Sequence, residues 1–177
     1  MPTYRPNAEY LRAALDCVIA QTEGNWRLHI VDEPTSVDTE SIVKPYLTDS
    51  RISYQKNEMR LGIGGNWNRC LQQATAPYIQ FFFQDDLWNS NYLKQGVEIL
   101  EDNPEVGMVS LEHSYRFEGG AAAEDTYARV EEDRRGVGSG LHDGKQFLLE
   151  WIERGLHPNL IGEPSFVMLR KSVVDKA

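Results

Sequence analysis

Tyr78-Ile79-Gln80-Phe81-Phe82-Phe83-Gln84-Asp85-Asp86-Leu87-Trp88 is the stretch on which the reading of this chain turns. Its β-branched and aromatic residues, Tyr78 to Phe83, stop at two adjacent carboxylates. A run of this kind bounded by polar residues predicts a buried strand of a parallel sheet. In open α/β sheets ligands bind just beyond the carboxyl ends of the strands. Asp85 and Asp86 are hard oxygen donors suited there to Mg2+ or Mn2+, cations that complete their shells with substrate phosphates. The competing reading is an Asx turn and N-cap for the helix near Asn91. Two aspartates alone do not separate these readings; the flanking sequence does.

Upstream of this stretch, strand and helix signals alternate. Residues 1–4 read as the tail of a strand, followed by a helix over Ala8–Gln21 with Tyr10, Leu11, Ala14, Leu15, Val18 and Ile19 on one face. Trp26–Val31 is a second strand, closed by Asp32-Glu33-Pro34, and Asp38–Leu47 a helix interrupted by Pro45. Ile52–Gln55 is a third strand, and Gly62-Ile63-Gly64-Gly65 leads into a helix over Asn66–Ala74. Downstream come a helix over Tyr92–Glu101 and a strand over Val106–Leu111. This alternation implies parallel strands joined by right-handed crossovers.

Beyond residue 112 the character changes. Residues 116–140 combine glycines, a short alanine run and dense charge, which reads as a long mobile loop or irregular hairpin. Asp143–Glu153 resumes as a helix and Ser165–Leu169 as a strand. The division expected is an α/β half over residues 1–112 and a partial acceptor-side region over 113–177, together forming one domain.

Composition narrows the function. The 177 residues carry 18 Lys plus Arg against 27 Asp plus Glu, a net charge of −9. Binding phosphate backbones needs clustered positive charge, so a nucleic-acid partner is not expected. A nucleotide remains compatible, because a bound cation neutralises its phosphates. Cys17 and Cys70 fall inside helical patterns and read as reduced packing residues. No apolar run approaches the roughly 18 residues of a membrane span, and no signal peptide is visible. The expectation is a soluble, cytoplasmic protein whose contact with a membrane is peripheral.

The order of motifs is specific. Pro2-Thr3-Tyr4-Arg5-Pro6, Tyr10-Leu11-Arg12-Ala13-Ala14-Leu15, Gln21-Thr22, Trp26, Ile30-Val31-Asp32-Glu33, Asp38-Thr39, Asn57, Leu61-Gly62, Gly65-Asn66-Trp67-Asn68-Arg69 and Tyr78 through Asp86 follow one another. Together they resemble the nucleotide-sugar-binding half of a family 2 glycosyltransferase. The resemblance covers residues 1–112 nearly continuously and resumes at Ile161-Gly162-Glu163-Pro164-Ser165. It implies an α/β GT-A (Rossmann-like) three-layer sandwich with a mainly parallel central sheet and a shortened N-terminal strand. It also implies transfer of a sugar, with inversion, from a nucleoside-diphosphate donor, a UDP-sugar foremost, to a carbohydrate or lipid-linked acceptor hydroxyl, with Mn2+ or Mg2+ as cofactor.

Each block then has an expected part. Thr3 and Tyr4 offer a hydroxyl and a ring face to a flat base, with ordinary strand-end packing as the alternative. Asp32 accepts hydrogen bonds from base or ribose, and Glu33 stands where the family often has a second aspartate. The glycines at 62, 64 and 65 lack the Lys-Ser/Thr of a P-loop and the dinucleotide fingerprint. By the resemblance, this loop and the helix bearing Asn68 and Arg69 flank the nucleotide. Arg69 either pairs with a diphosphate or braces Asp32 and Asp85. The family motif Asp-x-Asp-Asp reads here Phe83-Gln84-Asp85-Asp86, so the resemblance leaves Asp85 and Asp86 as metal ligands, with Asp86 assisting catalysis or orienting the next loop. Trp88 either caps the sugar site or packs at the helix entry. Glu163 is the candidate catalytic base, with binding of sugar hydroxyls or capping as alternatives.

His29, His113, His142 and His157 show no ligand spacing, so a zinc site is not expected. Two other functions compete: a non-catalytic or degenerate nucleotide-sugar-binding module, motivated by Phe83, and a nucleotidyltransferase, which would carry a Gly-rich basic loop after the first strand. The family has more residues before Pro-Thr-Tyr and a longer tail, so the chain is expected to be incomplete at both ends and marginally stable.

Overall fold

The structure, a computed structural model, describes residues 1–115, 128, 130, 132–157 and 159–176. They form two compact units, Met1–Leu111 with Pro164–Ala177, and Glu112–Glu163.

The first unit holds two three-stranded sheets. In the first, β1 (Pro2–Thr3), β2 (Leu28–Asp32) and β3 (Ile52–Lys56) run parallel in that order. Thr3 stands opposite Asp32, and Asp32 opposite Lys56, so the carboxyl ends of all three strands are level. In the second, β4 (Tyr78–Gln80) and β5 (Met108–Ser110) both pair antiparallel with β6 (Val167–Arg170), which lies between them. This corrects two expectations. β4 and β5 are parallel to each other but separated by an inserted antiparallel strand. Tyr78–Phe83 is also only half strand, because the ladder ends at Gln80 and the three phenylalanines turn to aromatic packing. Phe81 and Phe83 lie on Trp67 at 5.4 and 5.3 Å between ring centroids, while Phe82 packs against Trp88 at 3.9 Å.

Helix α1 (Ala8–Ile19) starts where the Asn7 side chain accepts the N–H groups of Glu9 and Tyr10. Leu11, Ala14, Leu15 and Val18 are buried, whereas Tyr10 and Ile19 are 39% and 41% exposed and lie off the buried stripe. The helix stops two residues before its expected end, and Gln21 turns away to bond the carbonyls of Cys17 and Asn89 and the N–H of Leu93. That clasp ties α1 to α4 (Tyr92–Asp102), whose N-terminus follows the Asp85-Asp86 turn. Helix α2 (Thr39–Val43) gives way to a 3-10 turn over Lys44–Thr48 at Pro45, which has no N–H to continue an α-helix. Helix α3 (Gly62–Gln73) begins four residues before the expected Asn66. The core joins Leu11, Leu15, Val18, Ile30, Val43, Ile52 and Phe82, with a second cluster at Tyr92, Leu93, Leu100 and Met168. Both cysteines are free thiols, Cys70 buried and Cys17 half-buried, within helices α3 and α1.

In the second unit, α5 (Gly144–Glu153) is capped by Asp143, which accepts the Gln146 N–H at 2.8 Å. Residues 132–137 are helical rather than loop. Of the glycines behind the loop reading, Gly136 falls inside this helix and Gly138, at φ 79°, follows its end. Residues 116–127, 129 and 131 of the expected mobile loop lie outside the described residues. A short helix α6 (Lys171–Val174) closes the first unit.

Candidate functional site

The level ends of β1, β2 and β3 present a polar cluster that is knitted together by its own side chains. Asp32, the last residue of β2, is 0% exposed. Its Oδ1 accepts the Thr3 hydroxyl at 2.7 Å and its Oδ2 the Tyr54 hydroxyl at 3.0 Å. Burial and then the Asp32 charge push the Tyr54 hydroxyl well above its ordinary pKa, so it stays a donor at neutral pH. Hydrogen bonds from two hydroxyls let a carboxylate sit without solvent.

Glu33 is buried as well, and both of its carboxylate oxygens accept the Leu61 N–H, at 2.9 and 3.1 Å. The preceding loop is fixed at its other end. The Asn57 N–H donates to the Asp32 carbonyl, the Asn57 side chain to Asn66 Oδ1, and Asn66 in turn to the Val31 carbonyl. Residues 57–61 are thus tied at one end to β2 and at the other to Glu33, the residue that follows it.

Tyr4 leaves β1 and meets Gln84. Its N–H donates to Gln84 Oε1 at 2.9 Å, and Gln84 Nε2 donates back to the Tyr4 carbonyl at 3.2 Å. A primary amide has both donor and acceptor in one plane, so Gln84 imitates the two-bond pairing of a neighbouring strand. Through this clasp the turn at Gln84-Asp85 is held beside the end of β1. Asp85 is exposed on that turn; Asp86 is half-buried, and its charge reaches the Tyr92 hydroxyl and the Cys17 thiol. Burial, with Asp86 second, pushes the Tyr92 hydroxyl up; it donates to the Ser165 carbonyl at 3.2 Å.

Thr3, Tyr4, Asp32, Glu33, Asp85 and Asp86 are therefore brought into one neighbourhood by strand register and by these bonds. Asn68 is exposed on α3, and Arg69 bonds Gln72 on its own helix at 3.1 Å. Asp32 is braced by Thr3 and Tyr54. Trp88 lies stacked on Tyr92 at 4.8 Å, packs against Phe82 and donates to the Ser165 carbonyl at 3.1 Å, the helix-entry packing role. Glu163 is exposed at the end of the second unit. Gly62, Gly64 and Gly65 form the first turn of α3 and not a loop, with Gly62 at φ 74°. Sequence reasoning gave no role to Tyr54, Gln84 or Asn66. Gln84 and Asn66 each stood inside a quoted motif; Tyr54 is found only through its contact across the sheet.

Two carboxylates on one turn do not by themselves surround an ion, and among the described residues no group of three or more acidic, His or Cys side chains does so. The donor set suits a hard cation that takes its other ligands from a diphosphate and water.

A family model described as glycosyl transferase family 2 matches residues 1–149. The chain belongs to that family. Among family relatives, it is 35% identical over 104 residues to the Escherichia coli protein UDP-Glc:alpha-D-GlcNAc-diphosphoundecaprenol beta-1,3-glucosyltransferase WfgD, which covers 58% of the chain and 40% of WfgD. Its fold matches S. aureus TarS 1-349 in complex with UDP-GlcNAc, with a TM-score of 0.60 at 22% identity over 68% of this chain and 35% of that one. It also matches the mannosyltransferase PcManGT from Pyrobaculum calidifontis in complex with GDP-Man and Mn2+, with a TM-score of 0.59 at 24% identity over 73% and 36%. These likenesses show the α/β GT-A fold. The family 2 chain thus spans between about a third and two fifths of the length of these three proteins. Among its described residues no helix is long and apolar enough to cross a membrane.

Proposed function

We propose that this chain is the donor-binding part of an inverting glycosyltransferase that moves a sugar from a nucleoside diphosphate, UDP foremost, to an acceptor hydroxyl. The observation that carries the reading is the clasp between Tyr4 and Gln84, which holds Asp85 beside the Thr3–Asp32 pair in a family 2 chain. The name of WfgD and the ligands of TarS and PcManGT support a nucleotide-sugar donor. Thr3 and Asp32 shape the base and ribose end, with Tyr4 and Glu33 beside them holding the neighbouring loops and Asn68 and Arg69 on the flanking helix. Asp85, with Asp86 beside it, would hold Mn2+ or Mg2+. Such a cation neutralises the charge that gathers on a departing diphosphate.

In the transfer the acceptor oxygen bonds to the anomeric carbon as the bond from that carbon to the diphosphate oxygen breaks. The electron pair leaves with the diphosphate, and the acceptor proton passes to a carboxylate, for which Glu163 is the candidate. The acceptor is a carbohydrate or a lipid-linked sugar, reached in the cytoplasm or at the inner face of a membrane.

The test is calorimetry with UDP, with and without Mn2+. Mn2+ is expected to tighten UDP binding in the wild type, and Asp85→Asn to abolish that gain while keeping side-chain shape. Asp32→Ala, which releases the Thr3 and Tyr54 hydroxyls at the strand ends, is expected to weaken UDP without metal by about 1–3 kcal/mol. An unchanged Mn2+ effect in Asp85→Asn would sink the metal assignment. Phe83 in place of the family's first aspartate favours the second reading, a binding module without turnover. Nucleotide binding with no donor consumption in the presence of acceptors would establish that one.

A further inference from the structure

Tyr4 is not an open platform. The Arg60 guanidinium lies over its ring with Cζ 4.7 Å from the centroid, and the Arg5 guanidinium stands 5.4 Å away. Arg5 is held at φ 47°, in the left-handed region that side-chain-bearing residues rarely adopt. Two guanidiniums therefore converge on the one aromatic ring at the carboxyl end of β1, in a chain of net charge −9 and beside Asp32, Glu33, Asp85 and Asp86. A planar guanidinium stacked on an aromatic face keeps its in-plane N–H groups free for phosphate oxygens.

The second observation is how Arg60 is held. The next residue, Leu61, gives its N–H to both oxygens of the buried Glu33, and Asn57 anchors the other end of the same short loop. Glu33 is thus spent inside the protein, fixing the segment that carries Arg60. Arg69, the cation the sequence nominates, is turned to Gln72 instead.

We propose that Arg60, stacked on Tyr4, binds the diphosphate of the donor, and that Glu33 is its positioning residue rather than a nucleotide contact. This rests on the donor-binding reading above. It predicts a split between a nucleoside and its diphosphate. By calorimetry, Arg60→Gln should weaken UDP about tenfold or more, the size of a lost charge-assisted hydrogen bond, while changing uridine less than about twofold. The gain of UDP over uridine should also fall off less steeply with salt in that variant. Glu33→Ala should reproduce the UDP loss, Glu33→Gln, which keeps an acceptor for the Leu61 N–H, should restore it, and the Glu33→Ala/Arg60→Gln double variant should be no worse than Arg60→Gln alone.

Unchanged UDP affinity in Arg60→Gln, or an equal loss of uridine and UDP, would overturn the proposal while leaving the donor-binding reading in place. A wild type that binds neither ligand would instead overturn that reading, and the diphosphate role with it. Hydrogen exchange covers the positioning step without any ligand: the Leu61 amide should lose protection in Glu33→Ala and keep it in Glu33→Gln. Equal protection in all three proteins would overturn the role given to Glu33.

Discussion

Asp32 has no contact with solvent, and its two oxygens are held by donors in different surroundings. Thr3 is 1% exposed, while Tyr54 is half-buried. Removing the Thr3 hydroxyl leaves a buried carboxylate oxygen that water does not reach, whereas water can replace the Tyr54 hydroxyl. Thr3→Val should therefore cost about 1.5–3 kcal/mol, the worth of a hydrogen bond to a charged group, and Tyr54→Phe clearly less. For a protein of this length that is roughly 3–12 °C in Tm for Thr3→Val, measurable by calorimetry. Equal shifts for the two variants would show that water does not replace the Tyr54 hydroxyl any better than that of Thr3. The sequence made Asp32 readable as a polar strand end, because a carboxylate closing an apolar run is a local pattern. It could not show that Asp32 and Glu33 face inward, since their partners Tyr54 and Leu61 lie 22 and 28 residues away. Gln84 was visible only as a place in a motif; its role depends on Tyr4, 80 residues upstream.

Helix α3 shows the same limit at the scale of an element. Four residues with three glycines read as a loop, because glycine is a poor helix former. The structure uses them as a helical turn, and the glycines have unlike reasons. A Cβ on Gly65 would meet Leu61 Cβ at 2.8 Å, a contact no side-chain motion removes, so Gly65→Ala should destabilise by about 1–3 kcal/mol. A Cβ on Gly64 would meet nothing within 4 Å, and Gly64 is not at positive φ. Gly64→Ala should accordingly stabilise the helix by about 0.5–1 kcal/mol, read as a rise in denaturation midpoint. A destabilised Gly64→Ala would mean that this turn is not the helix described. The strands divide likewise: β2 was legible from its apolar residues and β3 from the alternation of Ile52 and Tyr54 with polar neighbours. The insertion of β6 between β4 and β5 was not, because antiparallel pairing of Tyr78 with Arg170 leaves no mark on either segment.

Across the whole molecule, the two units differ in what they bury. The first contains nearly every buried apolar side chain, from Leu11 and Leu15 on α1 to Met168 on β6. Among the described residues of the second, Leu160 is the one apolar side chain that is buried, while Leu141, Leu148, Leu149, Ile152 and Leu156 are each 48% exposed or more. Helix α5 buries none of its ten residues. Opening free energy follows buried apolar contact, so local unfolding should reach α5 at far lower cost than α1. Burying a leucine is worth roughly 1.5–3 kcal/mol, and α1 has two that are 0% exposed where α5 has none. Hydrogen exchange followed by mass spectrometry should then show peptides from residues 144–153 fully exchanged while those from 8–19 are still protected, with the ratio of rates about a hundredfold or more. Protection of α5 equal to that of α1 in this chain would contradict the prediction.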